Sequence, residues 1–161
     1  MKKHLSSYLN FLNFEKSVSK NTYDSYKLDL ERYLAHLDKG GITSVEKITD
    51  DFISSFLATL YDLGLSAKSV ARNLSAIKGF HKFLVREGIT KHNPTEDVET
   101  PKLARKLPDV LHQHEIEKIL QQPNTVEPLG IRDRAMLETM YASGLRVSEL
   151  ITLKQSEVYP N

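Results

Sequence analysis

Four stretches of apolar residues at helical spacing fill residues 1–92, and turn or capping residues separate them. Leu5, Tyr8, Leu9 and Leu12 mark the first, over 3–16. Ser19 reads as the N-cap of a second helix over about 20–37. Its stripe is Tyr23, Tyr26, Leu30, Tyr33, Leu34 and Leu37, and Gly40-Gly41 stops it. Thr49 caps the third, with Asp50 and Asp51 at its positive end. That helix carries Phe52, Ile53, Phe56, Leu57, Leu60 and Tyr61 on one face and ends at Gly64. Ser66 caps a fourth helix that runs to Glu87, with Gly88 as its C′ residue. No alternating strand pattern interrupts these segments, so the expected fold is all-α, a compact four-helix bundle.

The apolar content of 40% is enough to close such a core. No run of eighteen apolar residues occurs, so no membrane span is expected. Met1 to Tyr8 lacks the apolar core of a signal peptide. The absence of cysteine excludes disulfides and thiolate metal sites and fits a cytoplasmic protein. A net charge of +1 hides an asymmetry. Residues 1–92 carry 14 Lys/Arg against 10 Asp/Glu, whereas residues 93–161 carry 8 against 11. Two units with different surfaces are implied.

Pro94, Pro101 and Pro108 break any helix between them. Residues 93–107 therefore read as a linker between a domain at 1–92 and a second region at 108–161. Lys102, Arg105 and Lys106 make the linker basic. It is either an ordinary interdomain connector or a clamp lying on an anionic partner. Helical signals return at Glu115–Leu120 and at Ile131–Met140, the latter stopped near Gly144. A last short helix is expected from about Arg146.

The fourth helix holds five basic residues and no acidic one between Lys68 and Arg86. Lys68, Arg72, Lys82 and Arg86 fall within about 40° of one line, flanked by Lys78. The row is about 27 Å long. It suits the phosphates along one edge of a DNA groove, where Lys and Arg release condensed counterions. Ser69, Asn73 and Ser75 are read as lying on or beside it, as donors to phosphates or base edges. The bland alternative is a solvated helix face. His81 falls on the apolar side and reads as a packed core histidine. His112 and His114 lack a third ligand nearby, so no metal is expected. No glycine-rich phosphate loop occurs, so no nucleotide cofactor or small-molecule substrate is expected either.

Several segments, in order, resemble the tyrosine recombinases of the phage-integrase and Xer type. Ser19-Lys20-Asn21-Thr22-Tyr23-Asp24-Ser25-Tyr26-Lys27-Leu28-Asp29-Leu30 is similar to one helix of that family, and Leu74 to Leu84 to another. Asn93-Pro94 through Pro101-Lys102 resembles its interdomain junction. Ile131 to Glu138 resembles the helix before its catalytic arginine, and Gly144-Leu145-Arg146-Val147-Ser148-Glu149-Leu150 its first active-site motif. The resemblance implies a SAM-like core-binding domain that forms half of a clamp around duplex DNA. The opening helices of a catalytic domain would follow. It adds Asn21 and Thr22 to the candidate DNA contacts.

Members of that family cut DNA with a tyrosine through a 3′-phosphotyrosyl intermediate, without metal or nucleotide. The full-length protein would act as a tetramer on two recombination sites. The resemblance gives Arg146 the role of gripping the scissile phosphate, a task that suits a planar, permanently charged fork. Glu149, three residues on, would orient it; the plainer reading is an i,i+3 ion pair. The family's His-x-x-Arg pair is missing, since none of the six histidines has an arginine three places later. Tyr141 is expected in the core, and Tyr159 has no base or phosphate site around it. The chain is therefore expected to be a recombinase fragment that binds DNA and does not cut it. A stand-alone helical DNA-binding regulator and a plain helical interaction module are the alternatives.

Overall fold

The computed structural model describes residues 1–101 and 109–158. The chain divides into two compact units, Met1–Arg105 and Lys106–Asn161. Within the first lie α1 (Lys2–Phe14), α2 (Lys20–Lys39), a 3-10 turn (Val45–Lys47), α3 (Asp50–Asp62) and α4 (Ala67–Arg86). Within the second lie α5 (Gln113–Leu120), α6 (Pro128–Ser143), α7 (Val147–Thr152) and a 3-10 turn (Gln155–Glu157). Among the described residues there is no strand, in agreement with the all-α expectation.

The helix starts follow from single side chains. Ser19, Thr49 and Ser66 each accept a hydrogen bond at 3.3 Å, from the backbone N–H of Thr22, Phe52 and Ser69 respectively. Each bond satisfies one N–H that the first turn leaves orphaned, and is worth about 1 kcal/mol.

The core of the first unit is built around α4, which packs on α1, α2 and α3. Val70, Leu74, Ile77, Phe80 and Leu84 are fully buried on its inner face. Leu30, Tyr33 and Leu37 of α2 and Ile53, Phe56 and Leu60 of α3 meet them. Full burial of each such side chain contributes about 1.5–3 kcal/mol. Tyr8 of α1 packs against Phe80 and Phe83, with ring centroids 5.6 and 5.4 Å away. Gly79 permits that approach, because a Cβ there would collide with the Tyr8 hydroxyl. Tyr61, expected on the core face, is instead exposed near the end of α3.

Packing continues past residue 92. Asn93 accepts hydrogen bonds through Oδ1 from the Thr95 amide (3.1 Å) and hydroxyl (2.8 Å). This local turn needs no helix, so Pro94 does not oppose it. Thr95 is buried, and Val98 joins the same apolar core as the four helices. Residues 93–101, expected as the first part of the linker, therefore lie on the first unit. The rest of that expected linker, 102–107, and Pro108 lie outside the described residues.

In the second unit α6 packs on α5 and α7. No described residue of this unit is buried. Tyr141, expected in the core, is 59% exposed, and Val126, Leu129, Val147 and Ile151 are exposed as well. With α5 only eight and α7 only six residues long, the cover they give α6 does not enclose an interior. No described helix is long and apolar enough to cross a membrane.

Candidate functional site

The outer face of α4 carries the basic row. Lys68, Arg72, Lys82 and Arg86 are exposed and Lys78 is half-buried. Among the described residues no ion pair engages the three lysines. Both arginines are paired by carboxylates that α4 itself does not supply. Arg86 donates to Glu87 through Nε (3.0 Å) and Nη2 (2.9 Å), and lies 3.6 Å from Glu15 at the end of α1. Its guanidinium also stacks on Phe11, 4.0 Å from the ring centroid. The lack of acidic residues along the helix therefore overstates the charge of this face.

Arg72 donates from Nε to Oδ2 of Asp29 at 2.8 Å and from Nη2 to Oδ1 at 3.1 Å. Asp29 comes from α2 and its side chain is only 1% exposed, whereas Arg72 remains 46% exposed. Arg32 adds a second cation, 3.6 Å from Oδ1. The hydrogen bonds to Asp29 push the Arg72 pKa above its already high ordinary value.

The remaining first-unit candidates divide by exposure. Asn73 is a correction: its side chain is fully buried, and Nδ2 donates to the Ser69 carbonyl at 2.9 Å. Five residues after Lys68, it lies about 140° around the helix, in the core sector. No duplex reaches it there. Ser69 and Thr22 serve the helix starts, where their hydroxyls share hydrogen bonds with the caps Ser66 (3.1 Å) and Ser19 (2.9 Å). Ser75 is exposed and returns its hydroxyl to the Ala71 carbonyl at 2.9 Å. Asn21 is exposed at the first turn of α2. Lys102, Arg105 and Lys106 lie outside the described residues.

His81 occupies the core as expected. Nε2 shares a 3.0 Å hydrogen bond with the Tyr33 hydroxyl, while Nδ1 has no partner among the described residues. Burial pushes its pKa down to about 4, so it is neutral near pH 7.

In the second unit Gly144 ends α6 with φ of 67°, a left-handed turn that other residues enter at a cost. Its amide closes the helix on the Met140 carbonyl at 2.8 Å. The reversal makes Arg146 the N-cap of α7 and leaves its side chain 82% exposed. Glu149 accepts from the Arg146 backbone N–H through Oε2 (2.8 Å) and from Nη1 through Oε1 (2.9 Å). The backbone N–H and then the guanidinium of Arg146 hold its carboxyl below the usual range. The backbone contact recurs at two other starts in this unit, those of α5 and the 3-10 turn, but not at α6. Glu115 makes it to His112 at 2.8 Å, and Glu157 to Lys154 at 3.0 Å. Only at Arg146 does the same carboxylate also hold the side chain of the residue it caps.

Asp29 stands in the family-like stretch Ser19 to Leu30, but sequence reasoning gives it no role. A signal was present: it stands three residues after Tyr26 and four before Tyr33, inside the buried stripe of α2.

Residues 5–88 match the family described as phage integrase, N-terminal SAM-like domain, and residues 109–160 match the phage integrase family. The chain is 43% identical over 157 residues to tyrosine recombinase XerD of Oceanobacillus iheyensis, covering 96% of this chain and 52% of that protein. It is 44% identical over 154 residues to tyrosine recombinase XerD of Staphylococcus saprophyticus, with the same two coverages. With tyrosine recombinase XerD of Chlorobaculum tepidum it shares 44% identity over 161 residues, covering 98% of this chain and 53% of that protein. The chain thus spans about half the length of the curated relatives it matches.

Proposed function

This chain belongs to the phage integrase family, carrying its N-terminal SAM-like domain and the start of its catalytic domain, and from this we propose that it grips duplex DNA for site-specific strand exchange. The observation that carries the DNA-binding reading is the outer face of α4. Lys68, Lys78 and Lys82 are unpaired among the described residues there, and the opposite face is buried in the core. Such cations exchange condensed counterions for phosphate contacts. Residues 1–92 together with the packed segment 93–101 act as the core-binding domain, and 108–161 open the catalytic domain. Lys102, Arg105 and Lys106 supply three further cations later in the sequence.

In the whole recombinase, Arg146 holds the scissile phosphate and Glu149 fixes its guanidinium. The exposure of Arg146 and the double contact from Glu149 support these roles. Arg146 keeps Nη2 and Nε for two phosphate oxygens while Nη1 stays on Glu149. Cleavage then proceeds through a 3′-phosphotyrosyl bond to a 5′-hydroxyl leaving group. The whole protein works in the cytoplasm as a tetramer on two sites. These 161 residues lack a His-x-x-Arg pair, so they bind DNA without cutting it.

Fluorescence anisotropy on a duplex at several salt concentrations tests the reading. Lys68→Ala and Lys82→Ala should each reduce the salt slope by roughly one unit. Unchanged slopes in both would make the row a solvated face. A suicide duplex should yield no covalent adduct with this chain, and an adduct on Tyr141 or Tyr159 would refute the expected inactivity.

A further inference from the structure

We infer that Asp29 is a positioning residue that locks Arg72 as a rigid fork for reading a base edge, guanine above all, in the major groove. The inference rests on the proposed DNA-binding function. It starts from an energetic oddity. A carboxylate with 1% exposure, at a core position of α2, would be severely destabilising without a partner. Arg72 supplies that partner bidentately, at 2.8 and 3.1 Å, from 43 residues away. The geometry fixes which edge of the guanidinium is used. Nε and one hydrogen of Nη2 face Asp29. Both hydrogens of Nη1 and the second hydrogen of Nη2 are left over. The outer edge, Nη1 with Nη2, therefore still offers two parallel N–H groups. Arg72 remains 46% exposed, and among the described residues no hydrogen bond engages its Nη1.

Charge decides between phosphate and base. Pairing with a buried carboxylate offsets part of the charge at Arg72, so that Arg72, Asp29 and Arg32 together carry one positive charge instead of two. A cation offset in this way attracts phosphate less than a free one. A planar, immobilised pair of donors instead matches two acceptors on an uncharged base, and guanine presents N7 and O6 in the major groove. The phosphate work falls to Lys68, one turn before Arg72, and to Lys82, about 15 Å beyond it along the helix. The three residues thus divide the labour of one face, with outer cations holding the backbone and an inner fork reading between them. Arg32, 3.6 Å from Asp29, places a second cation beside the same carboxylate.

The test uses the 161-residue chain and a pool of random-sequence duplexes, bound, recovered and sequenced. Salt slopes and melting curves are measured for the parent, Asp29→Asn and Arg72→Lys. Asp29→Asn puts an amide N–H₂ where the guanidinium needs an acceptor, which releases the fork. Arg72→Lys keeps a cation on Asp29 but removes the fork. The parent should prefer guanine at one position by about tenfold or more. Both variants should lose that preference at the same position. Arg72→Lys should keep the parent salt slope, and Asp29→Asn should raise it by freeing a positive charge. A solely structural ion pair would lower melting temperatures and leave base preference alone, and that result overturns the inference. So does a lower salt slope with intact preference in Arg72→Lys, which would make Arg72 a phosphate contact. If Asp29→Asn does not fold, Asp29→Glu replaces it: the charge on Arg72 is kept and the fork is displaced, so the guanine preference should fall at an unchanged salt slope, and an intact preference overturns the inference. A parent that binds duplexes with no base preference sinks this inference and leaves the DNA-binding function standing. A parent that binds no duplex sinks that function, and the inference with it.

Discussion

His81 and Tyr33 sit side by side in the centre of the first unit, and the fold depends on the imidazole staying neutral. The folded pKa of about 4 lies below the unfolded value near 6.5. The unfolded chain therefore takes up the proton first as pH falls. Stability is fully present above about pH 6.5 and is lost as pH drops toward 4. Between pH 7 and pH 5 the loss should be about 2 kcal/mol. Partly buried His36 shifts in the same direction, through burial and then Lys39. Urea titrations at the two pH values check the total, and a His81→Gln variant isolates this residue's share. A parent curve that does not move between pH 7 and 5 would show that the imidazole protonates without leaving the core. The same interior holds two more unpaired polar atoms among the described residues, Asn73 Oδ1 and Thr90 Oγ1. Each unpaired group costs about 1–3 kcal/mol.

Between elements, the closest fit is that of α1 on α4. Gly79→Ala would gain helix propensity, worth about 0.5–1 kcal/mol. It would also force the Tyr8 ring out of its place among Phe80 and Phe83. Overpacking of this kind costs about 1–3 kcal/mol, so the net effect should be destabilising. Tyr8→Phe removes the clashing hydroxyl. The double variant should therefore recover most of the loss, and a denaturation cycle over the four proteins measures the coupling. Additive losses would place the strain elsewhere. The elements themselves were legible in the sequence. Ser19, Thr49 and Ser66 announce their helices because capping is a contact between neighbours in the chain. The bidentate bond between Asp29 and Arg72 was not legible, because helical spacing says which face is inside and not what lies opposite. Asn73 was misplaced by reading serines and an asparagine near the row as part of it, although its angle puts it with Leu74 and Ile77. Val98 escaped notice because a lone apolar residue between Asp97 and Glu99 has no periodicity to join. The second unit shows the reverse limit. Its helices were legible from spacing, yet Tyr141 did not become core, because amphipathicity identifies a face without supplying its cover.

For the whole molecule, the packed segment 93–101 sets where the first unit can be trimmed. A chain of residues 1–92 would lose Val98 and the turn at Asn93, whereas one of residues 1–101 would keep both. Burial of a valine contributes about 1.5–3 kcal/mol. The longer piece should therefore melt higher by on the order of 10 °C, measured by circular dichroism. Equal melting points would mean that Val98 covers the core without holding it. The uncovered faces of α6 and α7 bear on behaviour in solution. A chain that encloses an apolar core in one unit and, among the described residues, buries none in the other is an amphiphile on the scale of a protein. Water should accept the first unit and drive copies together through the second, more strongly in sulfate than in chloride. Light scattering should then give a negative second virial coefficient for the 161-residue chain, rising toward positive values for residues 1–101. The helices flanking the exposed Arg146 would thus govern the colloidal state of the chain as well.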